Sequence, residues 1–284
     1  MYIGGIEAGG TKFLVKLVNE DNLEIKSLRI STRSSKETMA DVYDFFSGYE
    51  LESLGVACFG PLDLDENSPN YGSILNTPKV EWENFNIYQE LKRNLHTNVY
   101  INTDVALAGL AEYDNNPIYK NVIYITVGTG IGAAIIKDGS IITGVSHSEM
   151  GHVRLARYKN DDFPSSCIYH DNCLEGLASG VSLQKRYNLD IHELSKRPDI
   201  WDMEAYYLAC GIYNYILTYI PDIIYLGGGV ASESTLIPLI NKHLKIINNG
   251  YIDIEKIIIK NPSYTDSGLI GAINYARRNL CTQK

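Results

Sequence analysis

His152, Cys167, His170 and Cys173 follow the pattern His-x14-Cys-x2-His-x2-Cys. Two thiols and two imidazoles at this count and spacing are what tetrahedral zinc prefers. Four protein ligands leave no open coordination position, so such a site is closed and structural. The competing reading makes His152 an ordinary polar residue and the cysteines free thiols, and spacing alone leaves both open. His147 is a spare candidate in the same stretch. Glu149 lies just before His152 and Glu175 just after Cys173, so a metal here would hold the two carboxylates near each other. Cys58, Cys210 and Cys281 stand alone, and with an odd total of five a disulfide framework is not expected.

Two glycine-rich turns could do a second kind of chemistry. The first, Gly4-Gly-Ile-Glu-Ala-Gly-Gly-Thr-Lys, has P-loop-like spacing at Gly5 and Gly10, but Thr11-Lys12 reverses the required order and a strand pattern follows instead of a helix. The second, Gly128-Thr-Gly-Ile-Gly-Ala, fits a loose dinucleotide fingerprint, making a nicotinamide enzyme a competitor. That fingerprint needs a helix next, whereas Ala-Ala-Ile-Ile-Lys-Asp-Gly-Ser-Ile-Ile reads as a hairpin with an Asp-Gly turn. The remaining functional reading is that backbone N–H groups of both turns cradle anions. Glycine would then supply positive φ and close phosphate approach, and Thr11 and Thr129 would add hydroxyl donors. A pair of tight hairpins is the bland alternative, and Gly227-Gly-Gly weighs against it.

These groups need a scaffold. Apolar residues alternate through residues 2–18 and restart at 122–137, two strand-turn-strand units that each open one half of the chain. Short strands are expected at 54–59, ending in Gly60-Pro61, at 98–104, and at 222–226. Helical spacing marks 35–46, 87–94, 105–113 and 268–280. The order is that of an α/β protein, with Asn115-Asn116-Pro117 as the break between halves.

The 284 residues, 45% hydrophobic and 21% charged, suffice for two cores. A net charge of -9 without a basic block argues against nucleic acid as a partner. No apolar run approaches the roughly 20 residues of a membrane span. Met1 leads straight into the first strand, so a cytoplasmic protein without a leader is expected.

Taken together, the two glycine turns, Gly60-Pro61, Asn76-Thr-Pro-Lys, Asn102-Thr-Asp104, Glu149-Met-Gly-His152, Cys167-x-x-His-x-x-Cys-Leu-Glu175-Gly-Leu-Ala-Ser-Gly and Gly227-Gly-Gly-Val-Ala resemble the ROK sugar kinases (repressor, open reading frame, kinase). Within these the chain is similar to the zinc-containing bacterial fructokinases, and the match spans nearly its whole length. The resemblance implies an actin-like (ribonuclease H-like) fold of two α/β domains around a cleft. Residues 1–115 would form the first, with a C-terminal helix at 268–284 returning to it, and 116–267 the second, with a zinc segment at 147–176. It implies Mg2+ with ATP, one structural Zn2+ per chain and a homodimer. A helix-turn-helix, as in the family's repressors, has no room ahead of the first loop.

By the same resemblance Asp104 is the catalytic base; a lone Asp at a strand end would otherwise read as a helix N-cap. Gly9, Gly10, Thr11, Lys12, Gly128, Thr129 and Gly130 would hold the ATP phosphates, and Gly227, Gly228 and Gly229 the adenosine side. Gly60, Asn76, Asn102, Asp104, Glu149 and Glu175 would contact the sugar. The implied reaction is phosphorylation of a hexose at a primary hydroxyl, D-fructose above all. Glucose, mannose and N-acetylhexosamines are the alternatives, and a non-catalytic sugar sensor is a more distant one. Two departures matter: Glu7 stands where many members carry Asp, leaving its role near Mg2+ or phosphate open. Thr103-Asp104 replaces the Asn-Asp usual in glucose-specific members, which favours fructose.

Overall fold

The alternating apolar residues on either side of the first glycine turn form β1 (Tyr2–Ala8) and β2 (Lys12–Asn19), paired antiparallel with Ala8 opposite Phe13. In a computed structural model that describes every residue except Pro78, Ser195, Gln283 and Lys284, the chain forms two units. One comprises Met1–Asn115, Ser140–His147 and Ser263–Lys284, the other Asn116–Gly139 and Ser148–Pro262.

In the first unit β3 (Glu24–Ser31), α1 (Ser35–Phe46), β4 (Leu51–Cys58), α2 (Ile87–Leu95), β5 (Asn98–Thr103) and α3 (Asp104–Asn115) complete a sheet of order β3-β2-β1-β4-β5. β1, β4 and β5 run parallel, so both faces must be covered, and β4 is accordingly buried along almost its whole length. One face packs on Phe13, Phe45, Leu54, Val56, Trp82 and Ile101. The other receives the C-terminal helix, which lies over β1 and β4 and against α3. Two glycines paired across β1 and β4 make room for it. A Cβ on Gly55 would lie 1.8 Å from the Ala272 carbonyl oxygen, and one on Gly5 2.5 Å from Ile273 Cγ1. Overpacking of this kind costs about 1–3 kcal/mol or more.

Buried Glu112 fastens the approach to that helix: its carboxylate accepts the Ser263 N–H at 2.9 Å, the Tyr264 N–H at 3.3 Å and the Ser267 hydroxyl at 3.1 Å. These bonds explain why residues 263–267, expected with the second half, group with the first unit. Residues 140–147 do so as well.

The second unit opens with β6 (Asn121–Val127) and β7 (Ile131–Lys137), an antiparallel hairpin about the second glycine turn. The Asp138–Gly139 turn, with φ of 48° and 79°, leads into the two-residue β8 (Ser140–Ile141). A strand therefore follows Gly132, and the helix that a dinucleotide fingerprint requires is absent there. Short helices α4 (Leu174–Ala178), α5 (Gly180–Tyr187) and α6 (Ile191–Leu194) come next, then α7 (Trp201–Tyr219), β9 (Ile223–Gly227), α8 (Leu236–Asn248), β10 (Ile258–Lys260) and, in the first unit, α9 (Ser267–Thr282). The second sheet is ordered β10-β9-β6-β7-β8 with β6 and β9 parallel. Ile125, Leu177, Tyr207, Leu208, Ile212 and Ile224 lie in its core. No helix among the described residues is long and apolar enough to cross a membrane.

Candidate functional site

In the first unit the register brings the chemistry to one sheet edge. Ala8 pairs with Cys58 and Cys58 with Thr103, all on parallel strands. The residues that follow them, the Gly9–Gly10 turn, Gly60 and Asp104, therefore emerge side by side at the C-terminal ends of the strands. This is where open α/β sheets bind ligands. Leu75 donates its N–H to the Pro61 carbonyl at 2.8 Å, which brings the exposed Asn76 to the same edge.

Asp104 is the first residue of α3, and its Oδ1 accepts the Val105 N–H at 2.8 Å. Burial raises its pKa to about 6, against the backbone bonds and the nearby His147, which pull it down. A carboxyl so placed is ionised at neutral pH yet basic enough to take a proton from a hydroxyl. Thr103 is buried, and its hydroxyl accepts the Ala106 N–H at 3.3 Å, so it caps α3.

Glu7 settles into a role that its sequence position left open. Its carboxylate accepts the Leu269 N–H at 3.0 Å in the first turn of α9, a favourable place for an anion. Burial first, then Asp104, push its carboxyl above the usual range. Asp266 adds to this push on Glu7, with Lys12 opposing.

Asn102 is 7% exposed, its Oδ1 accepts the Thr103 N–H at 2.8 Å, and its side chain lies by the Tyr275 hydroxyl of α9. His147, the spare candidate, lies outside the metal cluster, with Nε2 3.7 Å from where a Gly60 side chain would begin. Lys79, which closes the Asn76-Thr-Pro-Lys stretch, comes near the first turn: its Cε lies 3.7 Å from the Cβ position of Gly10.

The first turn is braced by Gly9 N–H to the Lys12 carbonyl (2.9 Å) and by Thr32, whose hydroxyl donates to the Gly9 carbonyl at 2.7 Å and whose N–H donates to the Thr11 carbonyl at 3.1 Å. The second turn is braced by α5, where the Gly180 N–H donates to the Gly128 carbonyl at 2.8 Å, and by α4, where Glu175 accepts the Ile131 N–H at 2.9 Å. The Thr129 and Gly130 N–H groups take no part in these bonds. The expected positive φ is absent from Gly9, Gly10, Gly128 and Gly130. Glycine serves proximity instead: a Cβ would meet the Lys12 carbonyl oxygen at 2.8 Å from Gly9 and Glu175 Oε2 at 2.5 Å from Gly130, while around Gly128 it would find nothing within 4 Å. Gly228, after β9, does need the left-handed region at φ 95°. Thr126 and Gly227 pair across parallel β6 and β9, so the Gly128–Gly130 and Gly228–Gly229 turns share an edge.

The four zinc candidates of the second unit converge, with ligand atoms all within 4.8 Å of one another. Cys167 Sγ lies 3.8 Å from His152 Nδ1 and 3.7 Å from His170 Nδ1, and Cys173 Sγ lies 3.6 Å from His152 Nδ1. Zinc bonds of about 2.3 Å to sulfur and 2.0–2.1 Å to nitrogen, at tetrahedral angles, give a sulfur-to-nitrogen edge of about 3.6 Å. The donor set fits that ion. The far nitrogen of His152 lies 3.8 Å from Glu175 Oε1, close in charge terms but beyond a direct hydrogen bond. Glu175 thus stands between the cluster and the second glycine turn. Glu149 is exposed at the start of the 3-10 turn Met150–His152, which Gly151 lets press against β7, since a Cβ there would lie 1.8 Å from the Ile131 carbonyl oxygen.

Comparison with known proteins agrees with this frame. Residues 3–279 match the ROK family. A fructokinase of Lactococcus lactis subsp. cremoris is 39% identical over 94% of this chain and 93% of its own, and one of Zymomonas mobilis is 35% identical over 96% and 95%. Among solved structures, a ROK hexokinase from Thermus thermophilus superposes with a TM-score of 0.82 at 22% identity, covering 99% of this chain and 100% of that one. The fold is thus the actin-like one of two α/β units.

Proposed function

Because this chain belongs to the ROK family, we propose that it transfers the γ-phosphoryl group of ATP to the primary hydroxyl of a hexose, converting D-fructose to fructose 6-phosphate. The observation that carries the reading is Asp104: a half-buried carboxyl with its pKa near 6, at the strand edge that also carries the Gly9–Gly10 turn, Gly60 and Asn76. The choice of fructose rests on the relatives that carry that name and on Thr103, which here serves as a helix cap.

Asp104 takes the proton of the hydroxyl as its oxygen bonds to the γ-phosphorus, and the bond to ADP breaks on the opposite side. Gly60, Asn76, Asp104 and Glu149 are the sugar contacts in this reading. The turns at Gly9, Gly10, Thr11 and Lys12 and at Gly128, Thr129 and Gly130 hold phosphate through N–H and hydroxyl donors, and Gly227, Gly228 and Gly229 pass the adenosine. The Glu7 carboxyl, held above its usual range by burial and by Asp104, suits a site that receives positive charge, and Mg2+ arriving with ATP would neutralise phosphate charge there. His152, Cys167, His170 and Cys173 hold one structural zinc, which fixes Glu175 and through it the second turn.

An ADP-release assay over fructose, glucose, mannose and N-acetylhexosamines tests the reading. Fructose should give the highest kcat/KM. Fructose inactive beside another active sugar overturns the substrate, and ATP turnover with none of them overturns the kinase.

A further inference from the structure

We propose that Lys79 is a phosphate-binding residue of the transfer reaction, its ammonium closing over the first glycine turn to hold the terminal phosphate of ATP. The proposal rests on the kinase reading, in which that turn receives the ATP phosphates.

One short stretch of chain, just after β3, braces both partners. Thr32 fixes the turn through its bonds to the Gly9 and Thr11 carbonyls. The neighbouring Arg33 carbonyl accepts the Nε1–H of Trp82 at 2.9 Å. Trp82 is buried against the rings of Phe13, Phe59 and Phe85, and its backbone N–H donates to the Lys79 carbonyl at 2.8 Å. Lys79 is therefore tied to the same strand end as the turn, and its Cε comes within 3.7 Å of the Cβ position of Gly10, with the ammonium one bond further on.

The donors at this place are unspent. Among the described residues the Gly10 and Thr11 N–H groups and the Thr11 hydroxyl make no hydrogen bond, and the Lys79 ammonium has neither hydrogen bond nor ion pair. Lys12, the turn's own cation, acts instead on the Glu7 carboxyl, pulling it down against burial. Successive free N–H groups in a turn form a concavity for an anion, and an ammonium beside them is a point charge suited to phosphate. Chain position selects which phosphate. Asn76, a sugar contact in the kinase reading, stands three residues before Lys79, and the Leu75 N–H holds that end of the segment to the Pro61 carbonyl at 2.8 Å. An ammonium carried on the sugar-binding segment belongs with the phosphate nearest the accepting hydroxyl, the one that is transferred.

Two variants of the full chain test this: Lys79→Met, which keeps the side-chain length and removes the charge, and Lys79→Arg, which restores a cation. Calorimetry measures the binding of Mg2+ with a non-hydrolysable ATP analogue and of Mg2+ with ADP. Lys79→Met should weaken the analogue by about tenfold or more and ADP by less than about twofold, and Lys79→Arg should recover most of the loss. In the ADP-release assay kcat/KM for ATP should fall about tenfold or more in Lys79→Met, while KM for the active sugar stays within about twofold. The urea midpoint should not move, because Lys79 is exposed. Equal affinity of the native and Lys79→Met proteins for the analogue, an equal loss for analogue and ADP, or no binding of the analogue to the native protein overturns the proposal. If the native protein phosphorylates no sugar, the kinase reading fails, and the two binding measurements still decide whether Lys79 holds a terminal phosphate.

Discussion

Replacing Asp104 by Asn should remove activity and make the protein more stable, because the same burial that tunes the base costs folding energy. The pKa rises from 3.8 to about 6. At about 1.4 kcal/mol per pKa unit, that gap is a penalty of about 3 kcal/mol for keeping the group ionised in the folded state. The sign follows from proton binding. Between pH 4 and pH 6 the folded chain holds a proton that the unfolded chain has released, so stability falls as pH rises through this window and the full cost applies above it. Asparagine cannot ionise, its Oδ1 can still accept the Val105 N–H, and the Thr103 cap of α3 is untouched. Asp104→Asn should therefore gain about 3 kcal/mol at pH 8 and about half as much at pH 5. Turnover should drop by about 10²–10⁴-fold. Urea unfolding of both proteins at the two pH values, with the ADP-release assay alongside, reads all three quantities. A variant no more stable than the native protein at pH 8, or a stability difference independent of pH, would refute the burial argument. Near-normal turnover would refute Asp104 as the base.

Two further changes probe the second unit. Protein purified without chelator should carry about one zinc per chain by elemental analysis, and Cys173→Ser should lose both metal and activity, because Cys173 Sγ also accepts the Gly176 N–H at 3.3 Å and so starts the helix that bears Glu175; metal-free protein with unaltered folding and activity would sink the site. Gly130→Ala sets a Cβ 2.5 Å from Glu175 Oε2 and should break that carboxylate's bond to Ile131. A loss of about 1–3 kcal/mol in stability and at least a tenfold fall in kcat/KM for ATP are expected, and unchanged ATP kinetics would show that the turn does not hold phosphate.

The elements that sequence reading recovered were those whose pattern is local. The hairpins of β1–β2 and β6–β7 alternate residue by residue, and α1 spans the expected 35–46 with Ser34 capping the Glu37 N–H. β3 escaped because it is an edge strand exposed at almost every position, leaving no alternation to detect. α7 escaped for the opposite reason: its apolar residues surround much of the helix, so no single stripe stands out.

The site divides in the same way. Residue spacing was enough to find the glycine turns and the His–Cys cluster, because their members lie a few residues apart and chain geometry alone keeps them close. The Asn102 side chain meets Tyr275 and the Glu7 carboxylate meets the start of α9, pairings that chain spacing does not encode. The conformation of the turn glycines belongs here as well, since the atoms that exclude a side chain at Gly130 come from Glu175. The sequence by itself determined which groups can hold a phosphate, a metal or a proton. Tertiary structure decided which of them are left available to do so, because hydrogen-bond capacity and burial are consumed by whatever distant segment packs against each group.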